Sequence, residues 1–269
     1  MEIHPLAPRR APPGPLDGVG VLVTRPVRQA AGLVRKLAAL GAEPIAWPAI
    51  VILPPENAGA LAHVQATLGS YDIAVFVSAN AVEYGVGNPA RWPATLVPYA
   101  PGPGTAEALA AVGIGNVHVP STTYDSEGLL ALPGLADVRG KRAIVFRGEG
   151  GRELLGDTLR ERGAHVDYVG CYRRAAPQSG AEGLLAALAG GRVHAVTLTS
   201  SEGLDNLLAA LGDGGARHLS SLPLFVPHPR IATHARERGL VAIATAGSDA
   251  GLIAGLLEWF AAHPISSRA

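Results

Sequence analysis

The sequence is short of cysteine, of lysine, of surplus charge and of long apolar runs, and each shortage removes a class of protein. Its one cysteine, Cys171, cannot build an internal disulfide framework or a cysteine-only zinc or iron–sulfur site. The 22 basic residues balance 22 acidic ones, so there is no basic excess of the kind that coats nucleic acid. No apolar run approaches the ~18 residues of a transmembrane helix. Only Lys36 and Lys141 are lysines, which leaves little room for Schiff-base chemistry. The other 20 basic residues are arginines, the better bidentate clamps for carboxylates. Residues 1–15 hold five prolines and no apolar h-region, and read as a flexible tail and not a signal peptide. A cytoplasmic protein is the expectation.

Catalytic and cofactor signatures are also scarce. In GEGGRE (148–153) and in GPGTAE (102–107) a glutamate stands where the third glycine of G-x-G-x-x-G belongs. Neither lysine lies in a P-loop. The nine histidines include no H-E-x-x-H, and no G-x-S-x-G elbow exists. Nucleotide, helical-zinc and serine-hydrolase readings therefore lack support.

What is present is core material: 48% hydrophobic and 16% charged residues in 269, enough for two modest domains. Short apolar runs GVLVT (20–24), IAVFV (73–77), AIVF (143–146), AVTLT (195–199), LPLFV (222–226) and VAIAT (241–245) alternate with helical periodicity. After the first run, Leu33, Val34, Leu37 and Leu40 share a face, and Gly41 stops the helix, as Gly163 stops a later one. This alternation predicts parallel sheets covered on both faces.

The chain also repeats itself. Segment 21–44 aligns without a gap on 143–166 at an offset of 122, pairing Val23 with Val145, Arg25 with Arg147 and Gly41 with Gly163. The same offset puts Ser78 on Ser200, and 97–113 and 126–131 match 224–239 and 249–254 at slightly different offsets. The order of the matches implies two similar lobes. Lobe 2 is continuous (52–168), whereas lobe 1 is assembled from both chain ends (16–44 plus 178–269). Segments 45–51 and 169–177 become crossing strands that can pair into a two-stranded hinge. A cleft between α/β lobes is a usual small-molecule site.

In such sheets ligands lie beyond the carboxyl ends of strands, at helix N-termini. Those ends carry Arg25, Ser78-Ala79-Asn80, Thr105, Arg147-Gly148, Ser200-Ser201 and His228-Pro229-Arg230. Small, hydroxyl-bearing and cationic residues suit an anionic ligand, although serines and glycines in these places also cap helices and make turns. Tyr172, on a crossing strand before Arg173-Arg174, is a candidate proton donor. The same pattern fits a strand aromatic packed at the lobe junction.

The ordered set VLVTRP, DIAVFVSANAVE, GPGTAEALAAVGI, SEGLLA, the run 140–174 of the form GKRxxxxRGExGRExLxxxLxxxGxxVxxxxxYRR, AVTLTSSEGLDNLL and PHPRIATHARERGL resembles the uroporphyrinogen-III synthase family over residues 17–260. The resemblance implies two similar doubly wound parallel-sheet lobes joined by a two-stranded β-ladder. It implies a lyase that dehydrates and cyclises hydroxymethylbilane, a linear tetrapyrrole with eight carboxylates, with inversion of ring D. It further implies no metal or organic cofactor, a monomer, no nucleic-acid or membrane partner, and transient contact with the upstream bilane-forming enzyme. Tyr172 matches the family's recurrent active-site tyrosine, while Ser78, Ala79, Asn80, Thr105, Arg147, Gly148, Ser200 and Ser201 match cleft-lining positions, with contacts mostly through backbone. PHPRIA (227–232) departs from the usual turn and offers His228 or Arg230 in place of a threonine. A non-enzymatic tetrapyrrole sensor is the rival reading. A transferase using a nucleotide-activated donor is a third, opposed by the missing phosphate motifs.

Overall fold

A computed structural model describes residues 14–151, 153–178 and 180–265. The expected tail lies, except for Gly14 and Pro15, outside the described residues. In chain order the strands are β1 (Gly20–Val23), β2 (Glu43–Ala46), β3 (Val51–Leu53), β4 (Ile73–Phe76), β5 (Val97–Tyr99), β6 (Arg142–Gly148), β7 (His165–Ala175), β8 (Ala195–Thr197), β9 (Pro223–Val226) and β10 (Val241–Ala244). The helices are α1 (Val27–Ala39), α2 (Ala58–Ala66), α3 (Ala79–Gly85), α4 (Pro103–Ala111), α5 (Ser126–Leu130), α6 (Leu154–Glu161), α7 (Glu182–Ala189), α8 (Ser201–Leu219), α9 (Pro229–Arg236) and α10 (Asp249–Ala262). The chain divides into two compact units, the first comprising residues through Val51 and from Ala176 onward, the second Ile52–Ala175.

Unit 1 holds a sheet of order β10-β9-β8-β1-β2, parallel throughout. Its central strands β1, β8 and β9 are buried on both sides, as a parallel sheet between two helical layers requires, whereas the edge strands β2 and β10 are only partly covered. Leu22, Val196 and Leu224 face Leu184, Leu204, Leu207 and Ile231 from α7, α8 and α9. Val21, Val23 and Phe225 face Leu33 and Leu37 of α1 and Leu252 and Leu256 of α10. Each fully buried leucine contributes about 1.5–3 kcal/mol over an exposed one.

Unit 2 holds a sheet of order β3-β7-β6-β4-β5, in which β7, β6, β4 and β5 pair in parallel. One face packs Ala74, Phe76, Ile144 and Phe146 against Leu61, Val64, Val82 and Leu109 of α2, α3 and α4. The other packs Ile73, Val75 and Val145 against Leu129, Leu155 and Leu159 of α5 and α6. The doubly wound α/β class expected from the alternation is what both sheets display.

Helix ends explain why the first helix of each repeat stops where it does. Gly41 and Gly163 both take φ +90°, a left-handed conformation that costs glycine little. Around each, the next residue's N–H reaches back to a leucine carbonyl, Ala42 to Leu37 at 3.1 Å and Ala164 to Leu159 at 3.0 Å. That is a Schellman closure, which satisfies carbonyls the helix leaves free.

Candidate functional site

The carboxyl edge of unit 2 is built around Tyr172. β6 and β7 pair in register from Arg142 opposite His165 to Arg147 opposite Gly170, after which Gly148 faces Tyr172 and one residue of β7 is left over. This bulge turns the end of the strand and re-aims its side chains. Cys171 turns inward, where its thiol donates to the Arg147 carbonyl at 3.1 Å. Burial pushes that thiol up to about 12, so it is an inert packing group. The Tyr172 ring is 5% exposed and sits 6.3 Å from the Tyr84 ring. Its hydroxyl is 3.1 Å from Ser78 Oγ.

Ser78 is also the N-cap of α3, its Oγ accepting from Ala81 N–H at 3.1 Å. Ala79 is exposed and Asn80 half-buried, both in the first turn of that helix. Thr105 is buried in the first turn of α4, whose N-cap is Gly102. Ser78, Gly148 and Tyr172 are therefore brought together. Arg147 is not, because it alternates to the opposite face of β6. There its guanidinium lies 4.3 Å from the centroid of the Tyr168 ring and donates to Glu153 at 2.8 Å. Desolvation raises the Tyr168 phenol above its ordinary range.

The carboxyl edge of unit 1 carries the remaining candidates. Ser200 caps α8 by accepting from Gly203 N–H at 3.0 Å, with Ser201 as the first helical residue. His228 caps α9, its Nδ1 accepting from Arg230 N–H at 3.1 Å, and the Arg230 side chain is exposed. The imidazole thus has a structural task at the helix end. Arg25 follows β1 and pairs with Asp249 at the start of α10. Its guanidinium side chain is only 16% exposed.

Sequence reasoning missed the carboxylate partners of both arginines. Asp249 begins DAGLIA, one half of a repeat match, and an acidic residue at a helix start was the available signal. In the sequence Glu153 stands out only as the residue that spoils a glycine motif. The steric role of Gly148 beside Tyr172 had no signal, since it depends on the bulge. Among the described residues no three His, Cys, Asp or Glu side chains are placed to hold a metal ion.

Duplicated parallel sheets, with hydroxyls and helix starts along their carboxyl edges and one held phenol, define a two-unit α/β protein of the doubly wound type. Residues 31–253 match the family model of uroporphyrinogen-III synthase HemD. The chain is 37% identical over 229 residues to the uroporphyrinogen-III synthase of Escherichia coli, covering 82% of this chain and 92% of that one. It is 36% identical over 227 residues to the Salmonella typhimurium enzyme, with coverages of 82% and 92%. Among solved structures, Helicobacter pylori uroporphyrinogen-III synthetase superposes with a TM-score of 0.59 at 12% identity, covering 90% of this chain and 99% of that one. A mutant uroporphyrinogen III synthase from Thermus thermophilus gives 0.58 at 20% identity, covering 91% and 99%. These two likenesses establish the shared fold. The chain belongs to the uroporphyrinogen-III synthase family, lyases of porphyrin biosynthesis.

Proposed function

We propose that this chain converts hydroxymethylbilane to uroporphyrinogen III, with Tyr172 assisting departure of the terminal hydroxyl. The observation that supports the role is the Tyr172 hydroxyl held 3.1 Å from Ser78 at the carboxyl edge of its sheet. A phenol carries an O–H that can donate to a departing hydroxyl. Hydroxyl loss as water leaves an azafulvene at one end of the bilane. Ring closure then passes through a spiro-pyrrolenine, and fragmentation and rejoining deliver ring D inverted. The bilane gives up one proton as the closed ring forms, and that proton restores the phenol, so the net change is the loss of one water.

The eight substrate carboxylates call for many donors and no single cation. Each unit offers such donors at its own carboxyl edge: in unit 2 the first turn of α3 with Ala79 and Asn80 and the start of α4 with the Thr105 hydroxyl, and in unit 1 the starts of α8 and α9 with the hydroxyls of Ser200 and Ser201. Arg25 and Arg147 act from within ion pairs, while His228 and Arg230 border the start of α9. Neutral overall charge is consistent with recognition by local donors. Among the described residues no helix is long and apolar enough to cross a membrane. We further propose a cytoplasmic monomer that meets the bilane-forming enzyme transiently, because its substrate closes spontaneously.

The test supplies hydroxymethylbilane and separates the product isomers. Spontaneous closure gives isomer I, so enrichment of isomer III over the protein-free control is the expected result. No enrichment would overturn the reaction. Full turnover by Tyr172→Phe would remove the phenol from it.

A further inference from the structure

The Tyr172 ring fills the space in which any side chain at residue 148 would begin. A β-carbon built on Gly148 would lie 2.9 Å from both Cε2 and Cζ of Tyr172 and 3.2 Å from its hydroxyl oxygen. These are the three nearest atoms it would meet. Gly148 is not among the glycines with positive φ, so its backbone would accept alanine without strain. The obstacle to a larger residue is the tyrosine itself. The other end of the phenol is fixed as well. Ser78 Oγ accepts from Ala81 N–H, which pins the serine rotamer, and the same oxygen meets the Tyr172 hydroxyl.

We propose that Gly148 and Ser78 are positioning residues for the Tyr172 phenol, Gly148 by leaving room for its ring and Ser78 by holding its hydroxyl. This rests on the reading of Tyr172 as the group that assists hydroxyl departure. It assigns Gly148 a purpose other than letting substrate approach the backbone, since the emptiness beside its α-carbon is already occupied. A methyl group at 148 pushes the ring off its place, and the hydroxyl swings away from Ser78. A proton donor displaced by about 1 Å loses on the order of ten- to a hundred-fold in rate.

Two double-mutant cycles test the proposal. Gly148→Ala is expected to lower kcat on the order of ten-fold with KM little changed, and to lower the melting temperature. Combined with Tyr172→Ala, which removes the ring, Gly148→Ala is expected to cost no further kcat and no further melting temperature. Tyr172→Leu serves the same purpose if the alanine variant fails to fold. Ser78→Ala is expected to lower kcat in the parent but not in Tyr172→Phe. A rise in KM without loss of kcat in Gly148→Ala would overturn the proposal in favour of substrate approach. So would equal losses with and without the tyrosine ring or hydroxyl. If instead Tyr172→Phe and Tyr172→Ala keep full kcat, the reading of Tyr172 fails. The melting cycle then still reports whether Gly148 makes room for the ring.

Discussion

The two units repeat one plan and spend it differently. At the constant offset of 122, β1 superposes on β6 and β2 on β7 in the same register: Val23 pairs with Ala46 as Val145 pairs with Tyr168. The same offset places Ser200 on Ser78, Pro26 on Gly148, Ala49 on Cys171 and Ile50 on Tyr172. Both serines cap the helix after their strand. Only in unit 2 does that serine have a phenol to hold. In unit 1 the corresponding place is taken by Ile50, which is 8% exposed and has no proton to give. The scaffold accounts for what is shared, so the chemistry has to be sought in what is not.

The units also diverge inside their cores. Phe76 and Phe146 stack across neighbouring strands with centroids 4.4 Å apart. Their counterparts are Leu198 and Thr24, and Thr24 spends its hydroxyl on the Thr197 carbonyl at 2.9 Å. Phe146→Ala should therefore be the most damaging change, costing about 3–5 kcal/mol in denaturant unfolding through the cavity it leaves. Next comes Tyr172→Phe, expected to slow isomer III formation on the order of ten- to a hundred-fold with substrate binding retained. Ile50→Val, the matched change in unit 1, should leave turnover unaltered and cost about 0.5–1.5 kcal/mol of stability. Equal kinetic effects from the two would break the comparison. Thr24→Ala follows, at about 1 kcal/mol for a lost buried hydrogen bond, read from the same unfolding curves.

The arginine pairs give a smaller contrast. Arg25 and Arg147 are equally covered, at 16% side-chain exposure, but Asp249 is 25% exposed and Glu153 50%. Asp249→Asn should cost up to about 1 kcal/mol, and Glu153→Gln only a few tenths, about 0.3 kcal/mol, because solvent screens the more open pair. A reversed order in thermal melts at low salt would mean that exposure does not rank these pairs. At neutral pH the least effect belongs to Cys171. Its thiol rises from 9.0 to about 12 on folding, so between those values the native state keeps a proton that the unfolded chain releases. Stability is untouched below about pH 9 and falls as pH climbs toward 12. Cys171→Ala, which restores the residue of unit 1, should flatten that alkaline decline in unfolding free energy.

Much of the scaffold was readable because it rests on local pattern. The run GVLVT (20–24) becomes β1 over Gly20–Val23, wholly buried between two helical layers, and VAIAT (241–245) becomes the edge strand β10 over Val241–Ala244, of which only Ala242 is buried. The glycines at 41 and 163 announced their helix ends for a backbone reason. The bulge at Cys171 was not readable, because it is a relation between strands and not a property of either. The carboxylates that engage Arg25 and Arg147 escaped for the same reason in one case: Asp249 is 224 residues from its arginine. A strand-end arginine looks available in one dimension and proves engaged in three.

The discontinuity of unit 1 has a consequence during synthesis. β1 lies between β8 and β2 in its sheet, yet β8 begins at Ala195, so an interior strand made early must wait with one edge unpaired. Unit 2 draws all its strands and helices from one stretch and can close while the chain is still growing. The nascent protein therefore carries a finished unit 2 beside a half-sheet, and an open strand edge is what stray chains pair with. Slow translation between Ala175 and Ala195 would prolong that exposure, whereas slow translation within unit 2 would only give it time to fold.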